Sequence, residues 1–478
     1  MKILFAASEA APYIKSGGLG DVAQALPEAL SREKDCEVTV FLPYYAAIKN
    51  NPAFNIEYVT DFTVPLSWRR VYCGLFRAAS RRKKLTIYFI DNEDYFLRTG
   101  TYGYYDDGER FAFFSKAILE SLRYLDYYPD VIHANDWQTA LIPLFLHAHF
   151  RHLPEYRQIK TVFTIHNIEY QGIANNSFLQ DVLGVDESFR PIMTYNDCIN
   201  FMKGAIELSD AVTTVSRTYA DEIRYAYYSH GLHPILIANG GKLSGIVNGI
   251  NCSVFDPMTD PAIPAHFGPD DTGGKAVCRE ALRRELGLEM RECPIISMVT
   301  RLVSHKGLDL VRHILPDLMY RDVQFVILGT GEPEFEDFFR YAADRWHGRV
   351  SANIKFDAGL ANRIYAGSDL FLMPSKSEPC GLSQMIAMRY GTIPVVRETG
   401  GLRDTVPPIN VQTGEGMGFT FQSYNAHDML DAIDRALAFL SDRDRYTAQI
   451  RKLMKTDFSW SAAVVRYMAV YLRVTAKQ

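Results

Sequence analysis

The sequence predicts an α/β protein built from two consecutive Rossmann-like domains. Three observations predict it. Short apolar runs alternate with amphipathic helical stretches, which is the pattern of parallel sheets covered on both faces. The series stops at a stretch rich in Pro, Asp and Gly, Asn251–Gly274, and then starts again. The 478 residues exceed what one hydrophobic core holds, since domains run to about 100–200 residues.

In the first series Ile3–Ala7, Val38–Leu42, Val131–Ala134, Thr161–Ile165 and Ala211–Val215 read as strands, with helices over Val22–Ser31 and Phe111–Leu125. Leu75–Ala78 and Leu85–Ile90 flank the basic turn Ser80–Lys84 and read as a hairpin, with Arg81-Arg82-Lys83-Lys84 as a solvated turn. In the second series the strands are Pro294–Thr300, Val323–Leu328, Leu370–Met373 and Ile393–Val396, with helices over Gly307–Met319 and Glu334–Trp346. Ser461–Thr475 has helical spacing and reads as a terminal helix. These breaks place the first domain at 1–246, a hinge at 247–257, the second domain at 258–457 and a terminal segment at 458–478.

Composition narrows the partners. A net charge of -5 argues against nucleic acid, whose binders carry a basic footprint, but leaves room for a local basic pocket. Cys36, Cys73, Cys198, Cys252, Cys278, Cys293 and Cys380 are scattered without a C-x-x-C pair, so reduced thiols and a cytoplasmic setting are expected. Lys2–Ser8 is too short and too soon interrupted for a signal peptide, and no run reaches the ~18 apolar residues of a membrane span, so no membrane partner is expected.

Ligands of such sheets bind beyond the carboxyl ends of the strands, so residues placed there carry the most information. After the first strand comes Lys15-Ser16-Gly17-Gly18-Leu19-Gly20-Asp21-Val22. Its glycines let a backbone approach a ligand, Lys15 adds a cation, and Asp21 is expected to cap the next helix. The dinucleotide fingerprint that Gly18-x-Gly20 imitates is rejected. The glycines come too late after the strand, and the second strand ends Leu42-Pro43-Tyr44 without an acid for a ribose. The competing reading is an ordinary flexible turn.

After the strand at Pro294–Thr300 stands Arg301-Leu302-Val303-Ser304-His305-Lys306-Gly307. Two cations beside a helix N-terminus suit a diphosphate. Gly329-Thr330-Gly331 follows the next strand and offers close backbone approach. Ser375–Gln384 follows Leu370–Met373; there Glu378 either binds sugar hydroxyls or supports a helix cap, and the amides of Gly381 and Leu382 suit an anion. Thr399-Gly400-Gly401 is placed to crowd the same pocket. In the first half, Asp136-Trp137-Gln138 and His166-Asn167 follow strands, and Asn248 sits at the hinge.

Together these segments resemble bacterial glycogen synthases and plant starch synthases. The resemblance rests on K-S-G-G-L-G-D-V, H-A-N-D-W-Q-T, T-I-H-N-I-E-Y-Q-G, V-N-G-I, R-L-V-S-H-K-G-L-D-L and E-P-C-G-L-S-Q, in register, with Tyr102–Phe114 also similar. It implies a GT-B fold with two domains facing a central cleft, an acceptor-side first domain and a nucleotide-sugar-binding second domain. It also implies retaining transfer from ADP-glucose to an α-1,4-glucan of glycogen or starch type, without cofactor or metal, and a terminal helix crossing back to the first domain. Carried over motif by motif, the resemblance implies catalysis by Glu378, His166, Arg301, Lys306 and Asp136. Donor binding falls to Lys15, Gly17, Gly18, Asn248, Arg301, Lys306, Gly329, Gly331, Cys380, Gly381, Leu382 and Thr399. Acceptor binding falls to Asp21, Tyr105, Trp137 and Asn167. The chain departs from the family in Cys278-Arg279 for Asn-Lys, Asn251 for Asp and Ser383 for Thr. Ile386 stands where many related retaining transferases place a second Glu.

During transfer, negative charge grows on the diphosphate, and preorganised cations stabilise it. Arg301 and Lys306 meet that need without a metal. The D-x-D at Asp442-Arg443-Asp444 lies in a polar helical stretch and reads as accidental. No carboxylate nucleophile is identified; same-face attack, with the diphosphate as base, is the expectation. Two alternatives stay open: another GT-B transferase using UDP-glucose or a different acceptor, and a non-catalytic glucan binder using Trp137 and tyrosines 102–105. The second leaves Lys15, Arg301 and Lys306 unexplained.

Overall fold

A computed structural model describes residues 1–78 and 84–476; the Arg81-Arg82-Lys83 part of the expected basic turn lies outside the described residues. The chain divides into two units. The first comprises Met1–Val215, Ala220–Ile246 and the segment from Trp460 onward. Its strands are β1 (Lys2–Ala6), β2 (Glu37–Pro43), β3 (Ile56–Leu66), β4 (Arg69–Ala78), β5 (Leu85–Asp91), β6 (Val131–Asn135), β7 (Lys160–Ile165), β8 (Ile173–Ala174), β9 (Thr194–Tyr195), β10 (Cys198–Asn200), β11 (Ala211–Thr214) and β12 (Leu243–Gly245). Nine of them form one sheet in the order β12-β11-β7-β6-β1-β2-β5-β4-β3, and β8, β10 and β9 form a small separate ribbon.

The apolar runs explain the parallel core. Ile3, Leu4, Phe5 and Ala6 of β1 have no exposed surface, as expected of a strand covered on both faces. Each large side chain so buried contributes about 1.5–3 kcal/mol. The predicted hairpin is present as antiparallel pairing of β4 with β5, Leu75 opposite Ile90 and Ala78 opposite Ile87. The edge strand β3 escapes the sequence pattern because Glu57, Tyr58 and Val59 all face solvent. From β1 the chain runs through β2 to one side of the sheet and later, from β6, to the other. The loops after β1 and β6 therefore flank a topological switch point, where such sheets bind ligands.

Helix α1 (Gly18–Leu30) begins four residues earlier than predicted, and Asp21 is not its cap. Gly17 is the N-cap residue and makes no side-chain bond. The buried Glu9 replaces a local cap: its carboxylate accepts from the amide of Gly20 at 3.1 Å and from that of Ser16 at 2.6 Å. Asp21 sits in the first turn and pairs with Lys15 Nζ at 2.7 Å. Helix α2 (Asp107–Tyr124) is buried along most of its length.

The second unit comprises Val247–Ser459 with the short segment Ser216–Tyr219. Its strands are β13 (Ile295–Val299), β14 (Gln324–Leu328), β15 (Val350–Asn353), β16 (Leu370–Met373), β17 (Ile393–Arg397) and β18 (Phe419–Phe421), all parallel, in the order β15-β14-β13-β16-β17-β18. Its switch point lies between β13 and β16. Helices α3 (Leu308–Leu318), α4 (Pro333–Arg345), α5 (Ala358–Gly367) and α6 (Ser383–Arg389) follow successive strands, and α7 (Arg443–Lys455) comes later. Asp442 caps α7, accepting from the Arg445 amide at 3.1 Å, which gives the D-x-D a structural role. The departure at Arg279 keeps a paired cation: its guanidinium binds Asp369, which also accepts from Tyr446 Oη at 2.7 Å.

The terminal helix α8 (Ser461–Thr475) belongs to the first unit. Ala463, Val464, Tyr467, Val470 and Tyr471 form its buried face, and Tyr471 Oη lies 2.7 Å from His133 Nδ1. No helix among the described residues is long and apolar enough to cross a membrane.

Candidate active site

In the first unit the switch point gathers the loops after β1, β6 and β7. Asp136 follows β6 with φ at +58°, a strained choice for a residue with a side chain. Its Oδ1 accepts from the amides of His166 at 2.7 Å and Asn167 at 3.3 Å, so one carboxylate ties two strand ends together. Asn135 Nδ2 donates to the carbonyls of Ala6 and His133, which turns its Oδ1 toward His166 Nε2 at 2.9 Å. Neutral His166 therefore carries its proton on Nε2 and presents Nδ1 as an acceptor. A side chain at Gly18 would meet nothing within 4 Å, so the backbone there is open to a ligand. Beside this set, Tyr104, Tyr105, Asp107, Trp137, Tyr170 and Ile173 line most of an open groove of about 340 Å³. The sequence-predicted residues thus fall into three groups: Lys15 with Asp21 and the glycines, Asp136 with His166 and Asn167, and Tyr105 with Trp137.

In the second unit the loops after β13 and β16 meet. Lys306 Nζ lies 2.7 Å from Glu378 Oε2, and Ser375 Oγ donates to the same oxygen at 3.0 Å. Glu378 is only 6% exposed. It does not cap α6, whose N-cap residue is Leu382 and takes no side-chain bond. The amide of Lys376 donates to the carbonyl of His305 at 2.9 Å, joining the two loops by backbone as well. A Cβ on Gly401 would lie 2.1 Å from the Cys380 carbonyl, so the Thr399–Gly401 turn presses on the Glu378 loop as expected. Gln384 Nε2 holds the carbonyls of Cys380 and Gly381 from below. Asn248 Oδ1 is buried, and no described residue donates to it.

Gly331 has a structural reason to lack a side chain. The Gly329–Gly331 turn pairs with the Arg301 loop, Leu302 N donating to Thr330 O at 2.9 Å. A Cβ on Gly331 would lie 2.2 Å from the Leu302 carbonyl. Arg301 is exposed at this junction. Cys380 is buried and its thiol is pushed up to about 12 by that burial, so it is no nucleophile.

Sequence reasoning missed the contacts made by Glu9, Asn135 and Ser375, and passed over the exposed ring of Phe356. Glu9 stands three residues past β1, and Phe356, 86% exposed, stands three past β15; the strand-end rule would have found both. Asn135 and Ser375 act through their neighbours, which no spacing reveals.

Burial also sets a pH response. It holds His133 and His166 down to about 3 and His149 down to about 4, and raises Asp136 to about 7. Between about pH 4 and 6.5 the unfolded chain protonates those imidazoles and the folded one does not. Asp136 opposes them, being protonated when folded and ionised when unfolded. Three groups outweigh one, so from these four groups unfolding near pH 5 takes up ~2 protons, and their contribution to stability falls on acidification. Calorimetric melts across this range check it; melting temperatures constant or rising toward pH 4.5 would refute it.

Comparison with known proteins identifies the family and the fold. Residues 2–238 match a family model described as starch synthase catalytic domain, and residues 279–453 match one described as glycosyl transferases group 1. The glycogen synthase of Desulforamulus reducens is 46% identical over 99% of each chain, and that of Clostridium novyi 47% identical over 100% of each. The solved catalytic domain of starch synthase IV from Arabidopsis thaliana, bound to ADP and acarbose, superposes with a TM-score of 0.91 at 36% identity, covering 100% of this chain and 99% of that one. Two Rossmann-like units of this kind define a GT-B glycosyltransferase. This chain belongs to the glycogen and starch synthase family, whose members use a nucleotide-sugar donor and a glucan acceptor.

Proposed function

We propose that the chain moves glucose from ADP-glucose to the non-reducing end of an α-1,4-glucan, with retention of configuration. The observation that carries this is the Lys306–Glu378 pair at the switch point of the second sheet, with Arg301 on the same loop as the lysine. In the reaction Lys306 and Arg301 face the departing diphosphate. Glu378, oriented by Ser375, accepts hydroxyls of the transferred glucose. Asn248 Oδ1 and His166 Nδ1 are further acceptors for that sugar, and Asp136 keeps His166 in place. Lys15 and the open backbone at Gly17 and Gly18 serve the donor phosphates. The exposed ring of Phe356 offers a flat face to the nucleobase. The ADP in the related Arabidopsis structure supports this choice of donor.

Tyr105, Trp137 and Tyr170 present aromatic faces on which glucose rings stack, with Asp21 and Asn167 as polar acceptor contacts. The incoming hydroxyl attacks from the face that the diphosphate leaves, and a diphosphate oxygen takes its proton. The reaction needs no cofactor, and the seven unpaired thiols support a cytoplasmic setting.

Side-by-side transfer of labelled glucose from ADP-glucose and UDP-glucose onto glycogen tests the reading. Label should enter glycogen faster from ADP-glucose; equal or faster transfer from UDP-glucose would sink the donor choice. Because Arg301 and Lys306 supply the positive charge, activity should survive EDTA unchanged. Activity lost in EDTA and restored by magnesium or manganese would refute the cationic role.

A further inference from the structure

The turn that carries Tyr105 is built around two guanidinium groups. Arg98 and Arg110 each lie 4.9 Å from the centroid of the Tyr104 ring. Arg98 grips Asp106 with both terminal nitrogens, at 2.6 and 2.7 Å, and donates through Nε to the Asp94 carbonyl at 3.0 Å. Arg110 has no exposed surface. Its Nε donates to the Tyr95 carbonyl at 2.7 Å, and its Nη1 pairs with Asp107. Tyr104 Oη in turn accepts from the amide of Gly100 at 2.8 Å, and the amide of Gly103 donates to Asp107 at 2.8 Å. Farther along, Tyr102 Oη lies 2.7 Å from Ser8 Oγ.

Burying a guanidinium is expensive, and an apolar side chain of similar volume often does as well for stability. Here the charge satisfies the carbonyls of Asp94 and Tyr95 at the end of the one-turn helix Glu93–Phe96, which has no further turn to satisfy them. The residue next to the clamped ring, Tyr105, is fully exposed and lines the groove with Trp137 and Tyr170. An aromatic platform held rigid before binding loses little entropy when a flexible chain docks on it.

We infer that Arg98 and Arg110 are positioning residues for the acceptor: by clamping Tyr104 they fix Tyr105 and Asp107 in the geometry a glucan chain needs. This rests on the glucan-transfer reading. The test is steady-state kinetics of the intact protein, with wild type, Arg98→Ala and Arg98→Lys compared. Arg98 is the more exposed of the two cations, and Arg110 still holds the turn when Arg98 is removed. Arg98→Ala should raise KM for a long malto-oligosaccharide about tenfold, the equivalent of one charge-assisted contact. KM for the donor and turnover at saturating acceptor should stay within about twofold. Arg98→Lys, which keeps the charge without the flat fork, should fall between. A lowered melting temperature with wild-type acceptor KM would overturn the inference and leave a structural clamp. An equal rise in donor KM, or a fall in turnover alone, would overturn it too. Absence of any glucosyl transfer by the wild type would instead remove the reading beneath it.

Discussion

Lys306→Ala should lower turnover by on the order of 10²–10³, the usual consequence of deleting a preorganised charge opposite a leaving group. The structure adds a second effect. Lys306 is the partner of a buried carboxylate, with side-chain exposures of 16% for the lysine and 8% for Glu378. Removing one half of such a pair leaves the other uncompensated and costs about 3–5 kcal/mol. The variant should therefore melt earlier as well as turn over slowly. The double variant Lys306→Ala/Glu378→Gln separates the two effects: it should recover most of the lost stability and none of the lost rate. Kinetics and melts on the same three proteins check this. Near-wild-type turnover in the single variant would remove Lys306 from the leaving-group role.

Glu378→Gln should still fold, with a lowered melting temperature because Lys306 loses its counter-charge, and should cut turnover by on the order of 10². Ser375 still has a carbonyl oxygen to donate to, and α6 loses nothing, since Glu378 does not cap it. What is lost is a charged acceptor for sugar hydroxyls, whose hydrogen bonds are about twice as strong as neutral ones. Turnover and donor KM should both be measured. A variant that melts early but turns over normally when folded would make the residue structural.

Much of the architecture was legible because its signal is local. Runs such as Ile3–Ala6 of β1 and Leu370–Met373 are continuously apolar, as strands buried on both faces tend to be. Lys306 and Glu378 were each legible as residues just past a strand. Their contact was not, because it depends on β13 and β16 being neighbours in the sheet, a fact of topology that no spacing within either loop encodes. The start of α1 was misjudged for a related reason. A cap is sought beside the helix, whereas here the capping carboxylate, Glu9, comes from eleven residues upstream of Gly20. Edge strand β3 stayed hidden because one of its faces carries solvent, so no apolar run marks it.

The chain path has a consequence for how the protein is made. A ribosome delivers the nine-stranded sheet first, yet α8, which packs on α1 and β7, emerges only after the whole second unit. Until then His133 lacks Tyr471, and the apolar surface that Tyr467 and Val470 cover faces water or a chaperone. The unit synthesised first is therefore the last to be completed. A nascent chain halted before Trp460 already holds every residue assigned to chemistry, from Lys15 to Thr399, and still has an open core for quality control to read.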